Sequence, residues 1–425
     1  MRLFYGTVAT AIACLLPSQL HAIPAWSRLT GAPCSSCHAT PTWQLNKDGL
    51  AFLQNGHRID PLKVDTKDQK LENYFSIIFK GRTFVDKRDD ARTGLSNTQR
   101  PEWQLEQHSM SIYTGGALSN RLSYFAEVYL SENTGATSGG NIVQGDAARK
   151  KLAEAFLAYN LPLAGEANIV SFRAGAILPE ILHVFGVGAR SAEQRSIVLN
   201  DALVGNLNTY RPFSRQQGID ATFQSGRIQL ATGVLNGADA STTNSIDADR
   251  KKDVFGSALF TVDNTASAVG AYYYNGHYTN YATPKDYTTA ILFTDDFNRL
   301  GLVGRFVQDK WRVVGTYFTG KHIVNVAGTE ATNAGYYGLV DYNLSETLGA
   351  YVRYDRIDPN TDLDNNEQSM VLVGINGLFF QSEKTGARWQ IEYTSRDSYN
   401  AGSITAAGNT KFRDNRIWAQ LTFGF

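Results

Sequence analysis

The amino-acid sequence predicts an all-β fold, a 16-stranded antiparallel transmembrane β-barrel of the outer-membrane type. From residue 73 to residue 425, stretches of about ten residues alternate apolar and polar positions, which is the pattern of membrane barrel strands. The connections between these stretches alternate between short and long, and aromatic residues make up 12% of the chain. No stretch in this region has the roughly 18 consecutive apolar residues that a membrane-spanning helix needs.

The last two predicted strands show the alternation most clearly. In the segment RIWAQLTFGF, Ile417, Leu421 and Phe425 share one face, whereas Trp418 and Gln420 share the other. The preceding segment RWQIEYTSR has a polar or charged side chain at every second position. A soluble β-sandwich or propeller also contains alternating strands, but the aromatic residue that ends the final strand resembles the terminal signal of bacterial outer-membrane barrels. We therefore expect one lipid face and one wet lumen face.

Sixteen strands are predicted, an even number as expected for a bacterial barrel. The segment PKDYTTAILFTDDF is assigned to an outer loop, because another strand would break both the even count and the alternation of loop lengths. The predicted strand starts lie near residues 73, 101, 119, 150, 167, 214, 226, 253, 267, 298, 311, 333, 346, 368, 386 and 413.

The first 22 residues predict a secretory signal peptide, because one basic residue precedes an apolar run that ends near Ala22. A lipoprotein cut at Cys14 is the alternative interpretation. The expected organisation is residues 1–22 as signal peptide, 23–72 as a small N-terminal domain and 73–425 as the barrel. With 40 basic and 40 acidic residues the net charge is zero, so the sequence offers no basic patch for nucleic acid.

The N-terminal domain contains the segment CSSCH, in which Cys34, Cys37 and His38 have the spacing of a covalent haem c site. The two thiols would form thioethers with the haem vinyl groups, and the histidine would be the proximal axial ligand of the iron. A disulfide, a redox-active thiol pair and a zinc site are the alternatives, and the adjacent histidine favours haem over all three. We therefore predict one covalently bound haem c.

His57, 19 residues after His38, is the candidate for the distal axial ligand. The only methionines after the signal peptide, Met110 and Met370, lie in predicted barrel strands. A histidine after Asn-Gly also serves as a turn residue, and His108, Met110 or water are alternative ligands. Ligation by two histidines would give a lower reduction potential than ligation by methionine.

A long outer segment, residues 178–213, follows the fifth predicted strand. Its position and its two groups EQRS and RQQG resemble the loop that folds inward in phosphate- and polyphosphate-selective porins. The lysine ladder of that family is absent from the sequence, so phosphate selectivity is not carried over. The alternative role for Arg190, Arg195 and Arg211 is to brace an inward loop by charge pairing.

The segment APCSSCH, followed by PTWQLNKDGLAFLQNGHR and then by the barrel, resembles the fused outer-membrane monohaem cytochrome c and porin proteins, which include the iron oxidases of iron-oxidising bacteria. The resemblance places Cys34 and Cys37 at the thioether positions and His38 at the proximal ligand. His57 stands where many members have an aromatic residue, so the resemblance implies no role for it. A 16-stranded barrel is wide enough for the small haem domain to sit in its lumen as a plug.

The resemblance implies electron transfer across the bacterial outer membrane. Electrons from an extracellular donor, Fe(II) being the usual proposal, would pass through the haem to a periplasmic c-type cytochrome, so the chain would be an iron(II)-oxidising oxidoreductase embedded in outer-membrane lipid. The alternative is a solute porin for anions whose haem domain is a structural or sensory plug. Three acidic lumen positions, Glu106, Glu127 and Glu392, are candidates for attracting Fe(II). The competing interpretation pairs them with Arg173, Arg353 or Arg388.

Overall fold

The computed structural model describes residues 24–31, 34–58, 70–89, 104–132, 152–163, 168–188, 190–200, 208, 210–237, 251–262, 266–281, 290–323, 327–381, 385–399 and 411–425. The predicted signal peptide, residues 1–22, lies outside these ranges. Within them, no helix has the length and apolar character needed to cross a membrane.

The N-terminal segment is built from short elements. Helix α1 (Pro24–Thr30) is followed by a 3-10 turn (Cys34–Ser36), and a further 3-10 turn (Leu71–Tyr74) leads into the barrel. Between the two turns lie β1 (His38–Ala39), β2 (Gln44–Leu45) and helix α2 (Lys47–Gln54). We call residues 24–58 the plug.

Sixteen of the eighteen strands in the described residues form one closed antiparallel barrel, as the sequence predicts. Each strand pairs with its neighbours along the chain, and β18 pairs with β3 to close the ring. The barrel strands are β3 (Phe75–Asp89), β4 (Gln104–Ala117), β5 (Leu122–Glu132), β6 (Leu152–Pro162), β7 (Asn168–Ile177), β8 (Gln216–Ser225), β9 (Ile228–Leu235), β10 (Asp253–Thr261), β11 (Ala268–Tyr281), β12 (Ile291–Gln308), β13 (Trp311–Ile323), β14 (Glu330–Asn343), β15 (Leu348–Asp358), β16 (Gln368–Gln381), β17 (Gly386–Tyr399) and β18 (Lys411–Gly424).

All but one of the strand starts lie within three residues of the predicted positions. The exception is β12, which begins at Ile291, so the assignment of all of PKDYTTAILFTDDF to an outer loop is wrong. The last seven residues of that segment form the start of β12 and pair with the end of β11. These residues lengthen an existing strand and do not add a new one, so the number of strands remains even.

The two faces of the wall differ as the alternation predicts. In β18, the side chain of Ile417 is 56% exposed on the outer face, whereas its neighbour Trp418 is 2% exposed on the inner face. In β17, Ile391 faces outward while Gln390 and Glu392 are buried in the lumen. An outer surface of exposed apolar side chains around a polar interior is the arrangement of a barrel whose solvent outside is lipid.

Between β7 and β8, the described residues 178–188, 190–200, 208 and 210–215 lie in the lumen, as the resemblance to porins implies, and we call them the inward loop. It contains two one-turn helices, α3 (Ile181–Val184) and α4 (Ile197–Asn200), with buried side chains. Two of its serines, Ser191 and Ser196, donate hydrogen bonds to the wall carboxylates Asp341 and Asp355. The loop therefore narrows the pore from within.

The plug lies in the lumen at the end of the barrel that carries the short turns. The Gln44 side chain donates hydrogen bonds to Asp341 of the wall and to Ser191 of the inward loop. Ser123 of β5 donates to the backbone oxygen of Gly56 at 2.9 Å, and Asn343 of β14 donates to that of Thr40 at 2.8 Å. These contacts join the plug to opposite parts of the wall and to the inward loop.

Candidate functional site

The Cys-x-x-Cys-His segment is held by Asn46, which precedes helix α2. Its backbone N–H donates to the Cys37 oxygen at 2.9 Å, and its side-chain amide donates to the Ser35 oxygen at 2.8 Å. The amide oxygen of the same side chain accepts from the Gly49 N–H at 3.0 Å and caps the helix. One residue therefore fixes both the motif and the first turn of α2.

Gly49 lets helix α2 approach the motif closely. A Cβ atom at this position would lie 2.0 Å from the Cys37 carbonyl oxygen, a backbone atom that has no freedom to rotate away. Glycine is consequently required for close packing here rather than for its backbone conformation.

His38 is buried, and its ring is oriented by Trp43. The Nδ1 atom lies 2.9 Å from the Trp43 carbonyl oxygen, and the two rings stack with their centroids 4.8 Å apart. Because a carbonyl oxygen only accepts, Nδ1 must carry the proton, which leaves the lone pair on Nε2. Burial lowers the pKa of His38 to about 4, and the positive charge of Arg388 acts in the same direction. The ring is therefore neutral at neutral pH.

His57 directly follows the end of α2 on a left-handed stretch of backbone. Gly56 has φ +68° and His57 has φ 64°, and both backbone N–H groups donate back to the helix, to Leu53 and Phe52 respectively. A side chain on residue 56 would lie 2.0 Å from the Asn160 amide oxygen. A non-glycine residue in this conformation is uncommon, although histidine is among the residues enriched there. The turn aims the His57 ring at the barrel wall.

The His57 ring is surrounded by aromatic side chains and lacks a polar partner for one nitrogen. Its Nδ1 atom is buried without a hydrogen-bond partner in the described residues. Burial lowers the pKa of His57 to about 3, and Arg173 acts in the same direction. The rings around it come from both the plug and the wall, at centroid distances between 5.1 and 6.1 Å: Trp26, Phe52, Phe125 and Phe156.

Three of the predicted site residues, Cys37, His38 and His57, line one cavity between the plug, the inward loop and the wall. The space open to the centres of water molecules measures about 280 Å³, whereas a single water needs about 10–15 Å³. Cys34 begins the 3-10 turn, but its side chain lies outside the described part of the structure. Of the alternative iron ligands, Met110 lies in β4 and does not line this cavity. The side chain of His108 is not among the described side chains.

The Cys37 thiol is free and remains protonated at neutral pH. Burial raises the pKa of Cys37 to about 11, and the charge of Asp48 acts in the same direction. A thiol of this kind is a weak nucleophile and a weak zinc ligand until it loses its proton. Among the described residues, no group of three or more His, Cys, Asp and Glu side chains could hold a metal ion.

Charged side chains from distant parts of the sequence complete the cavity wall. Glu193 of the inward loop contacts Lys80 at 2.5 Å, Arg190 at 3.5 Å and Arg388 at 3.6 Å. Burial alone would raise the pKa of Glu193, but these three cations hold it well below its ordinary value. We call Lys80, Arg190 and Arg388 the basic cluster. Sequence reasoning missed the cluster, because its members are far apart along the chain.

In a second group on the cavity wall, two carboxylates share one cation. Arg215 of the inward loop lies 3.0 Å from Glu154 and 3.6 Å from Glu127. The Phe213 ring lies beneath the guanidinium groups of both Arg215 and Arg195, so both arginines make a cation–π contact within the inward loop.

The alternative interpretation, in which the lumen carboxylates pair with Arg173, Arg353 or Arg388, does not describe the ion pairs of Glu127 and Glu392, the two candidates with described side chains. These arginines contact Asp220, Asp355 and Glu193 respectively, since aspartates on the wall and a glutamate of the inward loop lie nearer. Glu392 instead accepts hydrogen bonds from neutral groups, among them the Tyr351 hydroxyl and two backbone N–H groups of the inward loop. The side chain of the third candidate, Glu106, lies outside the described residues.

Comparison with known proteins identifies the fold of the barrel. No protein-family model matches the chain, and no curated protein matches its sequence. An anion-selective porin from Comamonas acidovorans has 12% sequence identity and a TM-score of 0.54, over 82% of this chain and 98% of the porin. The outer-membrane channel DcaP of Acinetobacter baumannii has 10% identity and a TM-score of 0.52, over 83% and 96%.

The outer-membrane protein OmpT of Vibrio cholerae gives a similar result, with 10% identity and a TM-score of 0.50 over 82% of this chain and 97% of OmpT. Identities this low define the fold and nothing finer. This chain has the 16-stranded barrel fold of outer-membrane porins.

Proposed function

We propose that this protein is an outer-membrane electron-transfer protein, in which a porin-type barrel encloses a plug that carries one covalent haem c. Electrons would pass from an extracellular donor, most simply Fe(II), through the haem to a periplasmic c-type cytochrome. On this proposal the outer apolar face contacts membrane lipid, and the short-turn end, where the plug lies, faces the periplasm.

One observation carries the proposal: Cys37, His38 and His57 face the same cavity, and His38 has its Nε2 lone pair available. A histidine that ligates a metal usually donates its other ring N–H to a carboxylate or a carbonyl oxygen, which fixes its tautomer. Trp43 provides that carbonyl oxygen. The His57 ring adds a buried nitrogen without a partner among the described residues, at a left-handed backbone position of the kind that clusters at functional sites.

The residues present fit a haem c. Cys34 and Cys37 would hold it by thioethers, His38 would be the proximal ligand, and His57 is the candidate for the distal ligand. The aromatic and aliphatic lining, which includes Trp26, Leu45, Phe52, Leu53 and Phe125, suits a large planar apolar group. When bound, the haem supplies a one-electron couple that no side chain of the cavity offers.

The chain's own residues would set the environment of that couple. The plug and the inward loop meet through the hydrogen bond between Gln44 and Ser191. Trp43 orients the His38 ring, and aromatic rings from the plug and the wall bury the His57 ring. Burial of this kind and the choice of axial ligands are the means by which proteins adjust haem potentials.

Expression of the full chain in a host with haem c assembly machinery tests the proposal. We expect a haem-staining band that survives denaturing electrophoresis, and reduction of the purified ferric protein by Fe(II) in stopped-flow absorbance. His38→Ala should keep the covalent haem but change its spectrum and slow its reduction. A wild-type haem that stays oxidised in excess Fe(II) at several pH values contradicts the assignment of Fe(II) as donor.

A second candidate function, a solute porin for anions, is favoured by the inward loop and its arginines Arg190, Arg195 and Arg215 on the cavity wall. One solved structure of similar fold is that of an anion-selective porin. Planar-bilayer recordings separate the two functions. Solute conductance as large as that of an open 16-stranded porin supports this second candidate, whereas a sealed barrel with a reducible haem supports electron transfer.

A further inference from the structure

Among the described residues, the cations of the basic cluster outnumber the carboxylates that they contact. Lys80, Arg190 and Arg388 share a single carboxylate, Glu193. By contrast, Arg215 alone faces two carboxylates, Glu127 and Glu154. Buried charges are stable only when they are paired and hydrogen-bonded, so an excess of cations at the wall of a cavity indicates an anionic ligand.

Arg388 gives the sharpest indication. Its side chain is nine-tenths buried, at 10% exposure, and lines the cavity. Its Nη1 atom has no hydrogen-bond partner among the described residues, and its closest carboxylate contact is the 3.6 Å approach of Nη2 to Glu193. A guanidinium in this state has an unsatisfied donor, and a carboxylate or phosphate group is the partner that suits it.

Glu392 is the other carboxylate near the cluster, and it does not satisfy Arg388. Its two oxygens accept from the backbone N–H groups of Glu193 and Gln194 at 2.6 and 3.1 Å. They also accept from the Tyr351 hydroxyl and the Gln390 amide at 2.7 and 2.8 Å. Its function is therefore to anchor the inward loop, and the Nη1 donor of Arg388 stays available to a ligand.

The cluster also lies beside the predicted proximal histidine. The Arg388 guanidinium is 5.1 Å from the centre of the Trp43 ring, and the His38 ring stacks on the same indole. His38, Trp43 and Arg388 all line one cavity, so a group bound at His38 Nε2 and a group bound at Arg388 would share it. A haem has this combination in a single molecule, since its iron binds imidazole and its edge carries two propionate carboxylates.

We propose that Lys80, Arg190 and Arg388 bind the haem propionates, so that the barrel wall and the inward loop, and not the plug, hold the anionic edge of the cofactor. The inference rests on the proposed function, because it requires a haem in the cavity. It adds that the haem bridges three parts of the chain: the plug through its axial and thioether bonds, β3 and β17 through Lys80 and Arg388, and the inward loop through Arg190.

The test uses the haem-loaded full chain, because the thioether bonds keep the haem attached when propionate contacts are removed. Arg388→Gln and Lys80→Gln are compared with wild type by spectroelectrochemical titration and by resonance Raman spectra of the propionate bending modes. Loss of a nearby positive charge favours the ferric state, so each variant should have a lower midpoint potential. We expect about a tenfold change in the ferrous-to-ferric ratio at a given potential, equivalent to 59 mV for one electron.

Arg388→Lys keeps the charge and should retain most of the wild-type potential. Lys80→Gln is the second probe because Lys80, unlike Arg388, does not stack on the plug. The matched control is Arg353→Gln, which removes a buried lumen arginine that contacts the same inward loop through the Gln194 oxygen at 2.7 Å but does not line the cavity. Its potential and Raman spectrum should equal those of wild type.

Two results overturn the propionate site while leaving the haem in place. One is a potential and a propionate Raman band that are unchanged in both Arg388→Gln and Lys80→Gln. The other is an effect of these variants on anion conductance alone, which would assign the cluster to solutes. A wild-type chain that carries no covalent haem is a different failure, since it overturns the proposed function and this inference together.

Discussion

The barrel wall and the plug are encoded in different ways. The wall consists of strands that run from 8 to 18 residues, each with its own alternation of apolar and polar side chains. The plug has two strands of two residues and two helices of seven and eight residues, and its own core consists of Leu45, Phe52 and Leu53 packed against Trp26. So small a core supplies little stability, and the plug depends on what surrounds it.

The wall can be predicted from residues that are close together in the sequence, whereas the plug depends on residues far away from it in the sequence. A wall strand is recognisable within about ten residues, because the lipid face and the lumen face repeat every second residue. The plug is recognisable only by its motif, since its contacts with Ser191, Asp341 and Asn343 come from residues roughly 150 to 300 positions away. The wall should therefore stay folded when the plug is changed, and the plug should stay folded when the wall is changed mildly.

The largest effect expected is on the wall, from a charge on its lipid face. Leu302 lies in β12 and its side chain is 47% exposed. Leu302→Arg should cost about 2–4 kcal/mol of barrel stability, as a cation does near the middle of a bilayer. Denaturant unfolding in lipid vesicles measures this cost, and Leu302→Met is the control. A variant as stable as the control would mean that this face does not contact hydrocarbon.

The next effect is confined to the plug. Gly49→Ala places a Cβ atom 2.0 Å from the Cys37 oxygen and forces helix α2 away from the motif. Overpacking of this kind costs about 1–3 kcal/mol, and the backbone position of the clash puts this case at the upper end. Hydrogen–deuterium exchange of the α2 amides should accelerate roughly a hundredfold, with less haem attached.

The matched control for that variant is Gly338→Ala in β14, where an added Cβ atom meets nothing within 4 Å. Its exchange and its haem content should equal those of wild type. If Gly49→Ala also slowed the refolding of the barrel, the wall and the plug would not fold independently.

The smallest effect is expected at the contact between the two regions. Gln44→Ala removes the hydrogen bonds from the plug to Ser191 and Asp341, while Asp341 keeps its ion pair with Arg312. A cost of about 1 kcal/mol follows from the usual net value of such bonds, so exchange of the plug amides should accelerate roughly fivefold.

Gln224→Ala is the control for this variant, because Gln224 is also a buried lumen glutamine but donates to the Gly226 oxygen in its own turn. Plug exchange that is as fast in Gln224→Ala as in Gln44→Ala would show that the docking contact is not specific.

The sequence contains enough to predict the wall and the positions of the motif, but not the composition of the cavity. The alternation of side chains predicts the strands except at β12, where a hairpin outgrows its neighbours. Cys37 and His38 of the motif line one cavity together with His57. Lys80, Glu193 and Arg388 had no local signal, because a lumen-facing charge looks the same whether its partner is solvent or an inward loop.

Asn46 and Gly49 show an intermediate case. Both residues lie in the segment PTWQLNKDGLAFLQNGHR, whose resemblance to fused cytochrome and porin proteins gives no role to either of them, and the structure shows what each one does. Asn46 joins the motif to the first turn of α2, and Gly49 allows the helix to touch the Cys37 oxygen. Neither role was visible in the sequence, since each depends on how the helix lies on the turn.

The ring of strands is completed by a pairing between the two ends of the barrel sequence. β18 pairs with β3 from Arg413–Asp89 to Gly424–Ile78, whereas every other neighbouring pair in the ring joins consecutive strands. The plug precedes all of these strands in the chain, yet the ring around it closes only when β18 pairs with β3. On the proposed function, an enzyme that attaches the haem to Cys37 would therefore reach this turn most easily before that last pairing forms.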